Sequence, residues 1–450
     1  MKTLDQIASE LQGYDPQALR ADDVLKFLSK LVVPIQETQD LPLFEALGRV
    51  LAGDITSPFD VPPHDNSAMD GYAFDGAALA GGQALTLQVM GTALAGKAWP
   101  GSIMAGQCVK IMTGAIMPTG SDTVVPQEFV QRSGDVITLP PRLLAAGDNR
   151  RLRGEDLVQG KPALLKGELI TPARLGLAAS LGLKTLRCFR PLRVAYFSTG
   201  DEILSLGEPP REGAVYDSNR YTVYALLTRM GCQVIDMGVV RDVPDLLEAA
   251  FTQAALVADA IITSGGVSVG EADHTKTMMK KLGDVAFWRI AMRPGRPMAV
   301  GRIDSATFLT KSPPSQIIHC PDSYKNSSST RGENSAILFG LPGNPVAVMV
   351  TFLAFVRPAL LQMMGATQTQ PVLLRAFSSE AIRKKPGRTE YQRGWVSTAD
   401  GSLSVCTTGS QGSGVLRSMA EANGLIVLHH EQGSIAVGDP VDVLMFDGTI

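Results

Sequence analysis

LRVAYFSTGDE (192–202) is an apolar run that ends in a glycine turn carrying two acids. Its length and its β-branched and aromatic content predict a buried strand. Asp217, Ser218 and Asn219 offer caps for a helix that buries Val223, Leu226, Leu227 and Met230 and stops at Gly231. CQVIDMG (232–238) reads as the next strand, Pro244 opens another helix, and DAIITSGG (259–266) is a third strand running into a glycine turn. Such alternation predicts a central α/β domain with a largely parallel sheet. Ligands of these sheets gather at the carboxyl ends of the strands, where STGDE (198–202) and TSGGVSVGEAD (263–273) fall.

Working outward, residues 1–57 look helical, with Val24, Leu25, Leu28, Leu31 and Val32 on one face behind a cap at Asp22. Residues 58–156 are rich in Gly, Pro and short β-like runs and predict an inserted β-rich domain. Helical character returns at 172–182. The α/β domain spans 188–368. Within it, 304–335 is polar and Ser-rich and reads as an inserted surface loop between two strands that would otherwise pair as a hairpin. Short alternating runs from 369 to 450 predict a C-terminal β-barrel or sandwich domain. The fold class is thus multidomain α/β plus β.

Composition narrows the function. The 450 residues carry a net charge of -3, which argues against a nucleic-acid binder, so any anion site must be local. Five Cys lie far apart with no C-x-x-C pair, which fits a reducing, cytoplasmic setting without structural zinc or disulfides. The amino-terminal residues have no signal-peptide core, and the apolar stretch 346–356 reads as a buried helix, so no membrane association is expected. No H-E-x-x-H, G-x-S-x-G or P-loop pattern occurs.

Three groups of residues could carry chemistry. Carboxylates sit beside glycine turns: Asp65, Asp70, Asp156, Asp201, Glu202, Asp259, Glu271 and Asp273. They suit Mg²⁺, although any one of them could equally cap a turn. The turn GGVSVGEAD (265–273), with Gly265, Gly266 and Ser268, can approach a phosphate. Cations cluster at Arg289, Arg293 and Arg296, and again at Arg388 and Arg393, where guanidinium groups present fixed donors to an oxyanion.

These residues belong to a longer series: DNSAMDGYA (65–73), IMTGA (111–115), RGED (153–156), FSTGDE (197–202), YDSNR (216–220), SGGVSVGEAD (264–273), FWRIAMRPGRP (287–297), GLPGNPVA (340–347), PGRTEYQRG (386–394) and TTGSQGSG (407–414). In this order the series resembles the molybdopterin molybdenumtransferases, a family that includes the E domain of gephyrin. The resemblance implies an elongated homodimer of four-part subunits, in which 1–57 and 157–187 together form a helical and extended linking domain. It also implies a reaction that takes molybdate and adenylyl-molybdopterin, releases AMP and delivers molybdenum to the dithiolene. Matching acidic positions are Asp70, Asp156, Glu202, Asp259 and Asp273, with Thr113 beside them. Of these, Asp70, Glu202 and Asp259 are the expected Mg²⁺ ligands, and Arg293, Arg296, Arg393 and Ser413 the expected anion-binding set. Partners implied are the adenylyltransferase that makes the substrate and the apoenzymes that accept the product.

The chain departs from the family pattern in places. Arg293-Pro294-Gly295-Arg296-Pro297 stands where Lys is usual, Ala347 replaces a common Ser, and the 304–335 loop is long. Two other functions compete: a molybdopterin adenylyltransferase and a non-catalytic scaffold. The inserted and C-terminal domains argue against the first, and the intact acidic set against the second.

Overall fold

The computed structural model describes residues 2–267, 274–304 and 335–446. Its contacts divide the chain into two compact units. One comprises 1–52, 167–171 and 186–450; the other comprises 53–166 and 172–185.

The first unit is built on a six-stranded sheet. In chain order its strands are β1 (Arg193–Thr199), β2 (Gln233–Val240), β3 (Ala260–Ser264), β4 (Gly283–Arg289), β5 (Pro297–Asp304) and β6 (Ser335–Leu341). The spatial order is β2-β1-β3-β6-β5-β4. β2, β1, β3 and β6 run parallel, and β5 and β4 complete the sheet antiparallel. Side chains alternate across it as the pleat requires. Val194, Tyr196 and Ile262 pack on one face with Val223, Leu226 and Leu227 of helix α1 (Ser218–Arg229). Ala195, Phe197 and Ile261 pack on the other with Leu247 and Phe251 of helix α2 (Pro244–Val257) and with Met278 and Met279 of helix α3 (His274–Leu282). Both faces are buried, which explains why these strands read as continuous apolar runs. Asp217 caps α1, accepting from Arg220 N at 3.0 Å.

β5 and β6 pair directly from Ala299↔Gly340 out to Asp304↔Ser335. The expected 304–335 loop lies almost wholly outside the described residues. Because the register closes at its two ends, replacing 305–334 with Asn-Gly should give a tight hairpin. We expect that variant to keep wild-type activity and oligomeric state, checked by rate assay and by size exclusion with light scattering. Loss of either would mean that the segment contributes more than a connection.

Around the sheet, helices Leu4–Ser9 and Ala21–Leu31 bury Ile7, Val24, Phe27, Leu28 and Leu31. The second helix begins earlier than Asp22 suggests: Arg20 occupies the cap without a side-chain bond, and Asp22 sits in the first turn, where its charge suits the helix dipole. The apolar helix Pro345–Met363 is the one described helix long and apolar enough to cross a membrane, and it is 72% buried inside the protein. The C-terminal sheet closes on itself. Strands Thr389–Ala399, Ser402–Thr407, Leu374–Ser378, Pro440–Met445 and Gly424–Leu428 follow one another, and the last pairs back with the first. Val396, Val405, Ile426 and Val443 fill this barrel.

The second unit holds its own six-stranded sheet, in the order Thr123–Pro126, Gly71–Phe74, Gln107–Ile111, Leu85–Ala93, Val136–Leu139, Gln131–Ser133. Apolar side chains cover both its faces, Tyr72 and Phe74 on one and Ala73 and Val109 on the other. Helix Pro172–Ser180 belongs to this unit, whereas 167–171 belongs to the first.

Candidate active site

A cleft of about 1210 Å³ opens at the carboxyl ends of β1, β3 and β6. Its position follows from the topology. The chain leaves β1 toward β2 on one side and returns to β3 on the other, so the connections diverge there and leave a crevice. β1 delivers Thr199, Gly200, Asp201 and Glu202; β2 delivers Asp242; β3 delivers Gly265 and Gly266. β6 leads into Pro342, Gly343 and Asn344. Gly265 is required here: its φ is +92°, and an added Cβ would lie 2.2 Å from the Thr199 carbonyl oxygen.

The opposite wall is cationic. Arg293 and Arg296 line the cleft from the Pro-Gly turn between β4 and β5. Gly295 lets this turn sit tightly, since a Cβ there would meet Thr351 Oγ1 at 2.4 Å. Met292 and Arg293 also pair in parallel with Thr389 and Glu390, so the turn is stitched to the edge of the C-terminal barrel. Both arginines are exposed, and their guanidinium groups make no hydrogen bond or ion pair with described residues. Two cations with no partner among the described residues, facing one cavity, suit a dianion. The barrel adds Arg388, Gln411, Gly412 and Ser413 to the wall. Arg388 is already paired with Glu390 at 2.7 Å.

The structure thus gathers Glu202, Gly265, Gly266, Arg293, Arg296 and Ser413 around one cleft. Two expected members sit elsewhere. Asp259 precedes β3 and so lies at its amino end. There it accepts from Arg190 through both oxygens, at 2.7 and 2.9 Å, and from Arg193 N at 2.8 Å. Its carboxylate is committed to a buried ion pair, at the opposite end of β3 from the cleft. Arg393 is 1% exposed. Its guanidinium donates to the carbonyls of Ser410, Gln411 and Gly412 and to Ser418 Oγ, so it braces the turn that bears Ser413 and does not line the cleft. Burial, with Arg293 adding to it, pushes its pKa down to about 10. Ser268 and Asp273 fall outside the described residues.

Asp70, Thr113 and Asp156 belong to the second unit. Asp70 Oδ1 accepts from Thr113 N and from Thr113 Oγ1, each at 2.7 Å, and these two donors hold its carboxyl below the usual range. Nearby loops are tied by similar bonds: Asp60 accepts from Arg153 Nε at 2.5 Å and from Gln159 N at 2.8 Å. Among the described residues no three His, Cys, Asp or Glu side chains converge as a metal cage. Glu202, Asp201 and Asp242 are the carboxylates on the cleft wall. That supply suits a cation such as Mg²⁺, which needs one or two protein carboxylates beside substrate phosphates and water.

Comparison with known proteins agrees along the chain. Residues 19–182 match the model of the MoeA N-terminal region (domain I and II), 195–362 that of a probable molybdopterin binding domain, and 375–446 that of the MoeA C-terminal region (domain IV). A Haemophilus influenzae protein named molybdopterin molybdenumtransferase is 39% identical over 94% of this chain and 97% of its own. One of the same name from Nostoc is 34% identical over 91% of this chain and 89% of its own. The crystal structure of the molybdopterin biosynthesis moeA protein from Pyrococcus horikoshii superposes with a TM-score of 0.74 at 26% identity, covering 95% of this chain and 100% of that one. Matched in this order over nearly its full length, this chain belongs to the MoeA family of molybdopterin molybdenumtransferases.

Proposed function

We propose that this protein inserts molybdate into adenylyl-molybdopterin, releasing AMP, in molybdenum-cofactor biosynthesis. The observation that carries this reading is the cleft itself, which sets Arg293, Arg296 and Ser413 against Glu202, Asp201 and Asp242 at the strand ends. Molybdate is a dianion, and the phosphoanhydride it must approach is anionic too. Arg293, Arg296 and Ser413 hold the oxyanion, while the Gly265–Gly266 turn leaves room for the pterin's phosphates against the backbone. Mg²⁺, when bound, screens charge on the phosphates, with Glu202 as its first candidate ligand and Asp201 and Asp242 beside it. The residues contribute positioning and electrostatics, as in other phosphoryl chemistry. The resemblance also gives Asp70, Thr113, Asp156 and Asp273 catalytic roles, with Asp70 a further expected Mg²⁺ ligand.

We further propose a cytoplasmic homodimer. Cys108, Cys188, Cys232 and Cys406 are all free.

Incubation with adenylyl-molybdopterin, Mg²⁺ and increasing molybdate tests the function. AMP release that rises with molybdate supports the transferase. Adenylylation of molybdopterin from ATP selects the adenylyltransferase, and no reaction in either assay leaves the scaffold.

A further inference from the structure

Asn344 occupies the N-cap of the helix that starts at Pro345, yet its side chain makes no capping bond. Asn is among the best N-caps because its oxygen accepts from the first-turn N–H groups. Here its Nδ2 donates instead to Ser413 Oγ at 3.0 Å. The same helix start holds Ser413 a second time, through Val346 N to the Ser413 carbonyl at 3.1 Å. The turn is fixed from behind as well, with Asn219 Nδ2 donating to the Gly343 carbonyl at 2.7 Å. Asn344 and Ser413 both line the cleft beside Arg293 and Arg296.

A serine hydroxyl has one hydrogen and two lone pairs. When Oγ accepts from Asn344, its hydrogen must point elsewhere, and Ser413 Oγ donates to no described residue. A fully ionised tetrahedral oxyanion offers only acceptors. We propose that Asn344 is a positioning residue: by donating to Ser413 Oγ, it turns that hydroxyl into a hydrogen-bond donor to the oxyanion in the cleft. This rests on the transferase reading above.

Asn344→Asp separates this role from a structural one. Aspartate caps helices as well as asparagine, and its charge favours the helix start, so the fold keeps its stability. As an acceptor, however, it draws the Ser413 hydrogen away from the anion and adds a like charge. Asn344→Ala only frees the hydroxyl to rotate.

The experiment measures AMP release against molybdate, with urea unfolding alongside, for the wild type, N344A, N344D, S413A and N344D/S413A. N344A should raise the half-saturating molybdate concentration roughly threefold to tenfold, with kcat within about twofold, as expected for one neutral hydrogen bond. N344D should raise it further, while unfolding no earlier than the wild type. In the S413A background the effect of N344D should shrink. Should N344D fail to fold, Asn344→Ser caps the helix but is too short to reach Ser413; it should unfold normally and still need more molybdate. If the wild type responds to molybdate but N344D needs no more of it than N344A, or if N344S behaves as wild type, this inference falls alone. A wild type indifferent to molybdate removes the transferase reading and this inference together.

Discussion

Asp259→Ala is expected to destabilise the fold by about 3–5 kcal/mol while leaving the folded fraction active. The Arg190 and Asp259 side chains are only 9% and 11% exposed, and they meet through two hydrogen bonds. Removing the acid strands a buried guanidinium, which keeps Glu37 at 3.3 Å and the Pro191 carbonyl at 3.0 Å, and frees the Arg193 N–H at the start of β1. An uncompensated buried charge costs far more than the pair contributes when intact. Replacing both partners, as in Arg190→Met with Asp259→Leu, should therefore recover much of the loss. Urea unfolding of the two single variants and the double variant measures this directly. A stable Asp259→Ala protein without activity would return Asp259 to the chemistry.

Arg296→Ala should raise the molybdate concentration for half-maximal AMP release roughly tenfold to a hundredfold, since a charge-assisted hydrogen bond is worth ~1.5–3 kcal/mol. The guanidinium has no partner among the described residues, so its loss leaves no buried group stranded and unfolding should hardly change. A net charge of -3 offers an anion no general attraction, so no distant residue substitutes for it. Binding of the adenylylated pterin, followed separately, should change little. If pterin binding is lost and the molybdate dependence is not, the Arg-Pro-Gly-Arg-Pro turn serves the phosphate end of the cleft.

Much of the architecture was legible because burial on both faces writes strands as apolar runs and helices between them as 3.6-residue patterns. The β5–β6 hairpin could be read across 30 intervening residues because both strands are apolar and flanked by turns. The cleft was legible only in part. Asp259 was grouped with the site by its nearness in sequence to Gly265, yet the five strand residues between them span the sheet and put the two at opposite ends. Arg393 resembled an anion ligand, but charge does not disclose burial, and its donors proved to serve the backbone of the neighbouring turn. Conversely, Asp242 was passed over, although it follows the carboxyl end of β2, where the topological rule would have placed it. Asn344 carried no such signal, because its role depends on Ser413, 69 residues away.

If this cleft couples molybdenum transfer to cleavage of the adenylyl linkage, a single turnover reveals it. Enzyme in excess over adenylyl-molybdopterin is mixed with molybdate, and AMP and pterin-bound molybdenum are counted in the same quenched samples. The two products should rise together, one for one, and both should fail to appear when molybdate is omitted. AMP released at the same rate without molybdate, or molybdenum bound to the pterin with the adenylyl group still attached, would contradict it.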